Sequence, residues 1–221
     1  MRVSDFIFNF IHKKGAGHVF LVSGGGNIHL VDALGKSKLS YVCNHHEQAS
    51  ATAAEGYSRI AGMGVALVTT GPGGTNAITG VAGAWLDSIP MFVLSGQVRT
   101  EVLGTPSGMR QLGPQEINII DMVKPITKYA VTVMDPDKIL YHLEKAWFLA
   151  KTGRPGPVWL DIPLDIQGAK VDPLKLKHFK LSEVVPDYET DKKKLGKLVA
   201  QTIEKLRSAS RPVLYAGHGI R

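Results

Sequence analysis

Short apolar runs alternate with longer segments of helical spacing through the first 165 residues. The runs are four to six residues long and mostly apolar throughout, without the strict alternation of a half-exposed strand. Such runs are typical of strands that are covered on both faces. The predicted strands are residues 18–22, 39–43, 65–69, 91–95 and 157–161, with a weaker one at 128–133.

The segments between these runs carry apolar residues three and four positions apart, which predicts amphipathic helices. In the first of them, Val3, Phe6, Ile7, Phe10 and Ile11 share one face. Strands that alternate with helices predict an α/β fold. We expect a doubly wound, mostly parallel sheet with helices on both faces. The predicted helices are residues 3–13, 47–61, 75–86, 115–123 and 136–151.

The pattern changes after Pro163. Residues 166–190 are rich in Lys, Pro and Asp without a sustained period, so they are interpreted as a linker. One amphipathic helix at 191–207 and one strand at 212–216 follow, which is too little to bury a core. We therefore expect a domain at 1–168, a linker at 169–189, and the truncated beginning of a second domain at 190–221.

Composition excludes several classes of protein. The 221 residues are 44% hydrophobic and 20% charged, as in ordinary globular domains. A single cysteine, Cys43, excludes an internal disulfide framework and a multi-cysteine zinc site. No apolar run reaches the roughly 18 residues that span a bilayer, so no membrane partner is expected and the cytoplasm is the predicted location.

The net charge of +7 raises the question of nucleic-acid binding. The basic residues concentrate late in the chain, at 170–180 and 192–197, whereas residues 1–165 are much closer to neutral. We interpret them as a solvated linker and helix face, and no nucleic-acid partner is expected.

Two glycine-rich segments directly follow predicted strands. They are Gly24-Gly25-Gly26 and Gly71-Pro72-Gly73-Gly74-Thr75-Asn76. Ligands bind at the carboxyl ends of strands in open α/β sheets, and glycine there allows close approach to the backbone. Neither segment is a dinucleotide fingerprint or a P-loop. A phosphate cradle with a cap from Thr75 or Asn76, and a plain strand-to-helix turn, remain alternatives.

The third candidate segment, Asn44-His45-His46-Glu47-Gln48, follows another strand. Adjacent histidine side chains do not converge on one metal ion, so metal binding is disfavoured. An acid–base pair and a structural role for Glu47 at a helix N-terminus both remain open.

These blocks together resemble thiamine diphosphate-dependent enzymes of the acetolactate synthase type. Asp87-Ser88-Ile89-Pro90, Ser95-Gly96-Gln97-Val98 and Asp161-Ile162-Pro163 continue the same order and spacing. The resemblance covers about residues 1–165 as the pyrimidine-binding domain, with the thiamine diphosphate-binding fold. Residues 190–221 resemble the opening of the central domain.

The resemblance implies the site residues. Glu47 matches the catalytic glutamate that hydrogen-bonds N1′ of the cofactor's aminopyrimidine. Gly24, Gly25, Pro72, Asn76 and Gln115 match cofactor-binding positions. Pro114, Ser23, His29 and His45 depart from the family pattern, which implies a carbonyl substrate different from that of the branched-chain biosynthetic enzyme.

The resemblance also implies the partners. The diphosphate and Mg²⁺ are held in this family by a Gly-Asp-Gly motif of a C-terminal domain, and this chain has no such motif and no metal ligands of its own. FAD would need the rest of the central domain, and nothing here supports it. The site lies between subunits of a homodimer, or of a dimer of dimers. We expect residues 49–54, Trp85 and Leu86 to supply its surface.

The function implied is the N-terminal part of a carboligase or lyase that acts on a 2-keto acid, inactive as this chain alone. A 2-keto acid decarboxylase or oxidase of the same family is an alternative. A non-catalytic dimerisation or regulatory module is another.

Overall fold

Six parallel strands form one sheet with the order β2-β1-β3-β4-β6-β5. The computed structural model describes residues 1–104, 109–184 and 191–217. The predicted parallel α/β architecture is confirmed, and each of the six strands predicted within the first 165 residues is present, with bounds that differ by at most two residues at either end. The strands are β1 (His18–Leu21), β2 (Ser40–Cys43), β3 (Gly64–Val68), β4 (Met91–Gln97), β5 (Tyr129–Thr132) and β6 (Pro157–Pro163).

Helices connect the strands. Two of them, α1 and α3, have the predicted bounds, whereas α2 and α7 were not predicted. The helices of the sheet domain are α1 (Val3–Lys13), α2 (Ile28–Gly35), α3 (Glu47–Ala61), α4 (Pro72–Leu86), α5 (Ile119–Val123), α6 (Ile139–Lys151) and α7 (Leu164–Gly168).

The central strands are apolar throughout because the side chains of each strand pack into two hydrophobic cores, one on either face of the sheet. In β4, Phe92 and Leu94 join the core that includes Phe8 of α1 and Trp147 of α6. Residues that alternate with them, such as Val93, join the core on the other face, beneath α3, α4 and α5. Helices on both faces therefore explain why strict polar alternation is absent.

The edge strand β2 departs from this rule. All four of its residues are exposed, with Tyr41 at 52% and Val42 at 42%. The expectation that every strand is covered on both faces is wrong for β2, because an apolar run alone does not distinguish an edge strand from a central one.

Two predicted helix starts are also wrong. α4 begins at Pro72, so Thr75 and Asn76 lie inside the helix and cap nothing; the Thr75 hydroxyl donates to the Pro72 carbonyl oxygen (3.2 Å). The helix predicted from Gln115 begins only at Ile119. Gln115 has a φ of +59°, in the left-handed region that a helix cannot contain.

The described chain divides into two units, residues 1–180 and residues 181–221. In the first, residues 169–180 still contribute to burial through Val171 and Leu176. The predicted boundaries at 168 and 190 stay a prediction. Parts of the predicted linker (185–189) and second domain (190 and 218–221) lie outside the described residues.

The second unit contains one long helix, α8 (Lys192–Ser208). Its N-cap Asp191 accepts hydrogen bonds from the backbone N–H groups of Lys193 (3.0 Å) and Lys194 (3.1 Å). Its apolar residues are exposed, Leu198 by 51%. The predicted strand at 212–216 is not observed in the described residues, because no neighbouring strand pairs with it. Within the described ranges, no helix is long and apolar enough to cross a bilayer.

Candidate functional site

The candidate site lies where the chain reverses its direction across the sheet. From β1 the chain passes to β2 at one edge, and it then returns to β3 on the other side of β1. The loops that follow β1 and β3 diverge at this point, which leaves a crevice at the carboxyl ends of the strands. Both glycine-rich segments lie there, as their positions after neighbouring strands predicted.

The loop after β1 is held close to the ends of β3 and β4. The Gly26 N–H donates to Oγ1 of Thr69 (3.0 Å), and the Gly24 N–H donates to Oδ1 of Asn27 (2.8 Å). Gly96 at the end of β4 makes this approach feasible. A Cβ there would overlap the Gly26 carbonyl oxygen and lie 2.6 Å from the Asn27 nitrogen. Gly25 is exposed and begins a short 3₁₀ turn.

Glu47 is the first residue of α3 and is only 9% exposed. Its Oε2 accepts a hydrogen bond from Nδ2 of Asn76 (3.0 Å). Its Oε1 lies 3.5 Å from the point that a Cβ on Gly73 would occupy. Among the described residues, none donates a hydrogen bond to Oε1. The structure thus brings together the carboxylate and the amide that the sequence placed 29 positions apart, and it keeps one carboxylate oxygen available.

His46 has a structural role at the same turn. Its Nδ1 accepts a hydrogen bond from the Gln48 N–H (3.1 Å), so His46 is the N-cap of α3. In the described part of the chain, no group of three or more His, Cys, Asp or Glu side chains is placed to hold a metal ion.

The loop that carries Pro72 packs against the backbone of Gln115. Pro72 is exposed in the first turn of α4. The preceding residue, Gly71, has a φ of +59°, and a Cβ there would overlap the carbonyl oxygen of Gln115. The backbone of Gln115 therefore packs directly on the loop that carries Pro72, and Gln115 itself is exposed.

One carboxylate organises the segment that carries Gln115. Glu116 accepts hydrogen bonds from the backbone N–H groups of Gly104 (2.8 Å), Leu112 (2.8 Å) and Gly113 (3.1 Å). Burial alone would raise the pKa of Glu116, but these three donors stabilise its charged form and lower the pKa below its ordinary value.

A buried polar network lies beneath the crevice, and the sequence analysis missed it. Asp161 of β6 accepts from Oγ of Ser95 (2.5 Å), Nε2 of Gln97 (3.1 Å) and Oγ1 of Thr132 (3.1 Å). Nε1 of Trp159 donates to Ser95 (2.8 Å). Polar residues at the ends of otherwise apolar strands were the available signal, because buried polar groups are kept only with partners.

Over residues 1–122 the chain matches the family described as "Thiamine pyrophosphate enzyme, N-terminal TPP binding domain". The chain belongs to the thiamine pyrophosphate enzyme family. The resemblance to thiamine diphosphate-dependent enzymes of the acetolactate synthase type is thereby confirmed.

Relatives within this family cover nearly the whole chain. An acetolactate synthase of Arthrospira platensis is 34% identical over 96% of the chain. The acetolactate synthase large subunit of Buchnera aphidicola from Acyrthosiphon pisum is 38% identical over 98%. The probable large subunit of Methanocaldococcus jannaschii is 34% identical over 100%. The chain spans only 36–37% of the length of these three relatives.

The residues of the crevice fit the aminopyrimidine half of the family's cofactor, thiamine diphosphate (thiamine pyrophosphate). An aminopyrimidine presents a ring nitrogen and an amino group on a flat apolar ring. Glu47 offers one carboxylate oxygen close to Gly73, a residue with no side chain to obstruct a ring. The same residues do not fit a diphosphate, because they include the carboxylate of Glu47 and no Lys or Arg side chain.

Proposed function

We propose that this chain is the N-terminal, pyrimidine-binding part of a thiamine diphosphate-dependent carboligase or lyase that acts on a 2-keto acid. The observation that carries the proposal is the Glu47 carboxylate, held by Asn76 on one oxygen and available on the other, at the point where the sheet reverses. The names of the relatives support acetolactate synthase-like chemistry. In this proposal the donor is a 2-keto acid such as pyruvate.

In this proposal, Glu47 is the residue of this chain that activates the bound cofactor. Its Oε1 would accept a hydrogen bond from N1′ of the bound pyrimidine and could share that proton. The low exposure of Glu47 keeps water from competing for the same oxygen. When bound, thiamine diphosphate supplies the nucleophilic carbon and the electron sink for making or breaking a bond next to a carbonyl.

Asn76 orients the carboxylate. Because its Nδ2 donates to Oε2 at 3.0 Å, it directs Oε1 toward Gly73 and the crevice. The backbone of the Gly24–Gly26 loop and the segment around Pro72 and Gln115 form the remaining walls. The Gly24–Gly26 loop has no side chains, which leaves room for a planar ring.

The diphosphate and Mg²⁺ belong in this proposal to another domain of the complete enzyme. The sequence has no Gly-Asp-Gly motif, and the candidate site residues, which are Gly24, Gly25, Glu47, Pro72, Asn76 and Gln115, include no Lys or Arg to balance the charge of a diphosphate. We propose that a second subunit completes the site, in a homodimer or a dimer of dimers. This chain alone would then be inactive.

Two of the residues expected to supply the dimer surface are not accessible in the structure. Ala51 and Ala54 are fully buried within the chain, where they pack beneath α4, so they cannot contact a second subunit. Trp85 is 37% exposed and Leu86 is 73% exposed at the end of α4, and both remain suitable.

The decisive test is Glu47→Gln in the complete enzyme. Glutamine is nearly isosteric, and its amide cannot share a proton with N1′. We expect exchange of the cofactor's C2 proton, measured before substrate is added, to slow by about 10²–10⁴ with little change in the Michaelis constant. Circular dichroism should show an unchanged fold.

Glu55→Gln is the matched control. Glu55 lies on the same helix, forms an ion pair with Arg59, and lies outside the crevice. We expect this variant to exchange the C2 proton at the wild-type rate. If Glu47→Gln also exchanged at that rate, Glu47 would be only a structural residue at the helix N-terminus.

A further inference from the structure

The side chain of Gln97, beneath the crevice, forms four hydrogen bonds. It lies at the end of β4, and only 1% of it is exposed. Its Oε1 accepts from Oγ1 of Thr70 (2.7 Å) and from the Val98 N–H (2.9 Å). Its Nε2 donates to the carbonyl oxygen of Ile117 (3.1 Å) and to Oδ2 of Asp161 (3.1 Å). All four hydrogen bonds that an amide can make are thus formed.

One of these partners, Thr70, lies in the loop that precedes α4. The carbonyl oxygen of Thr70 accepts from the Gly73 N–H (3.2 Å), which forms the turn that presents Pro72. Asn76, the partner of Glu47, lies one turn further along the same helix. The position of the Thr70 hydroxyl therefore sets where this helix begins relative to the sheet.

Another partner, Ile117, lies in the segment that carries Gln115. Ile117 follows Gln115 by two residues, and its carbonyl oxygen also accepts from the Ile119 N–H (2.9 Å) at the start of α5. The two segments touch above Gln97, where Gly71 packs against the Gln115 backbone. Gln97 thus binds both segments on either side of the point where they meet.

We propose that Gln97 is a positioning residue that couples the Pro72–Asn76 segment to the Gln115 segment, so that both walls of the pyrimidine site keep one spacing. This rests on the proposed function only for the identity of the ligand. The coupling itself follows from the four hydrogen bonds of one buried amide. Gln97 touches neither substrate nor cofactor in this proposal.

The test compares Gln97→Met with Thr132→Val in the complete enzyme. Methionine keeps the length of the side chain and removes the hydrogen bonds. Thr132 is the matched control, because it donates to the same Asp161 oxygen at 3.1 Å and, among the described residues, its side chain forms no hydrogen bond to either segment. Both variants therefore weaken the buried network, and only Gln97→Met releases the two walls.

The first readout is amide hydrogen exchange, followed in peptides that cover residues 70–76 and 113–119. We expect exchange in both regions to speed up roughly tenfold in Gln97→Met, and to stay within about twofold of wild type in Thr132→Val. If either region stayed at the wild-type rate in Gln97→Met, the coupling would be refuted, whatever the enzyme does.

The second readout is the thiamine diphosphate concentration that gives half-maximal activity. We expect it to rise roughly tenfold in Gln97→Met, with a smaller change in kcat at saturating cofactor. A merely structural role would move both variants equally, and that result would overturn the positioning role. Wild type that fails to bind thiamine diphosphate would instead refute the proposed function and leave the exchange result standing.

If Gln97→Met does not fold, Thr70→Val tests the same idea. It removes one hydrogen bond to Gln97 and leaves the bonds to Ile117 and Asp161 in place. Exchange should then rise at 70–76 and spread to 113–119 through the shared amide. Faster exchange confined to 70–76 would overturn the coupling.

Discussion

Asp161 predicts a pH dependence of stability that can be isolated with one substitution. The side chain is 1% exposed, and burial raises the pKa of its carboxyl to about 6, although Ser95, Gln97 and Thr132 all donate to it and act in the opposite direction. Burial prevails because removing a charge from water costs more than three hydrogen bonds return.

The direction of the effect follows from proton binding in the two states. The ordinary pKa of this group is 3.8, so the folded protein binds the proton more tightly than the unfolded chain does. Stability from this group is fully present below pH 3.8 and is lost as the pH rises through about 6. At about 1.4 kcal/mol per pKa unit, the whole change is about 3 kcal/mol.

The assay is urea unfolding of wild type and Asp161→Asn between pH 5 and pH 8. Asparagine keeps the shape and one acceptor but does not titrate in this range. Other acidic groups titrate in both proteins and cancel in the difference between their free energies of unfolding. From pH 7 to pH 5, we expect wild type to gain about 1.3 kcal/mol relative to the variant.

Two results would refute this reasoning. A difference that does not change with pH would mean that Asp161 titrates alike in both states. A wild type that loses stability relative to the variant on acidification would mean that the three donors outweigh burial. Either result would also require a new account of how the network beneath the crevice is held.

Two further predictions concern the crevice and the subunit surface. Gly96→Ala should destabilise the protein by about 1–3 kcal/mol in urea unfolding and weaken thiamine diphosphate binding, because the added methyl group overlaps the Gly26 carbonyl oxygen; Gly83→Ala, where nothing lies within 4 Å of the new Cβ, should do neither. Leu86→Lys should weaken self-association of the complete enzyme roughly tenfold in sedimentation equilibrium, since it places a charge on an exposed apolar residue of the proposed interface; unchanged association would place the interface elsewhere.

Local periodicity was enough to predict much of the secondary structure. The bounds of α1 follow from apolar spacing, because a helix that lies on a sheet presents one apolar face, and those of α3 follow from an alanine-rich segment that suits close packing. The strands followed from apolar runs, because the covered sheet buries both faces. The residues of the site, by contrast, came from a family resemblance, and their contacts to a cofactor remain proposals.

Local patterns failed where the backbone conformation depends on contacts that are distant in sequence. Gln115 has a left-handed conformation that excludes it from the predicted helix, and its backbone packs against Gly71, which is 44 positions earlier in the chain. The run at 212–216 has the composition of a strand, but a strand exists only when another strand supplies hydrogen bonds. Neither condition can be read from neighbouring residues.

The sequence by itself determined that this chain forms a parallel α/β sheet with glycine-rich turns at its strand ends, because burial and turn chemistry are local. Only the tertiary structure decided the strand order, and with it which turns become neighbours. β1 and β3 lie side by side in the sheet, although β2 comes between them in the sequence. This arrangement brings Glu47 to Asn76 and lets Gln97 bind both Thr70 and Ile117. Such contacts depend on how whole elements pack, and no single segment encodes them.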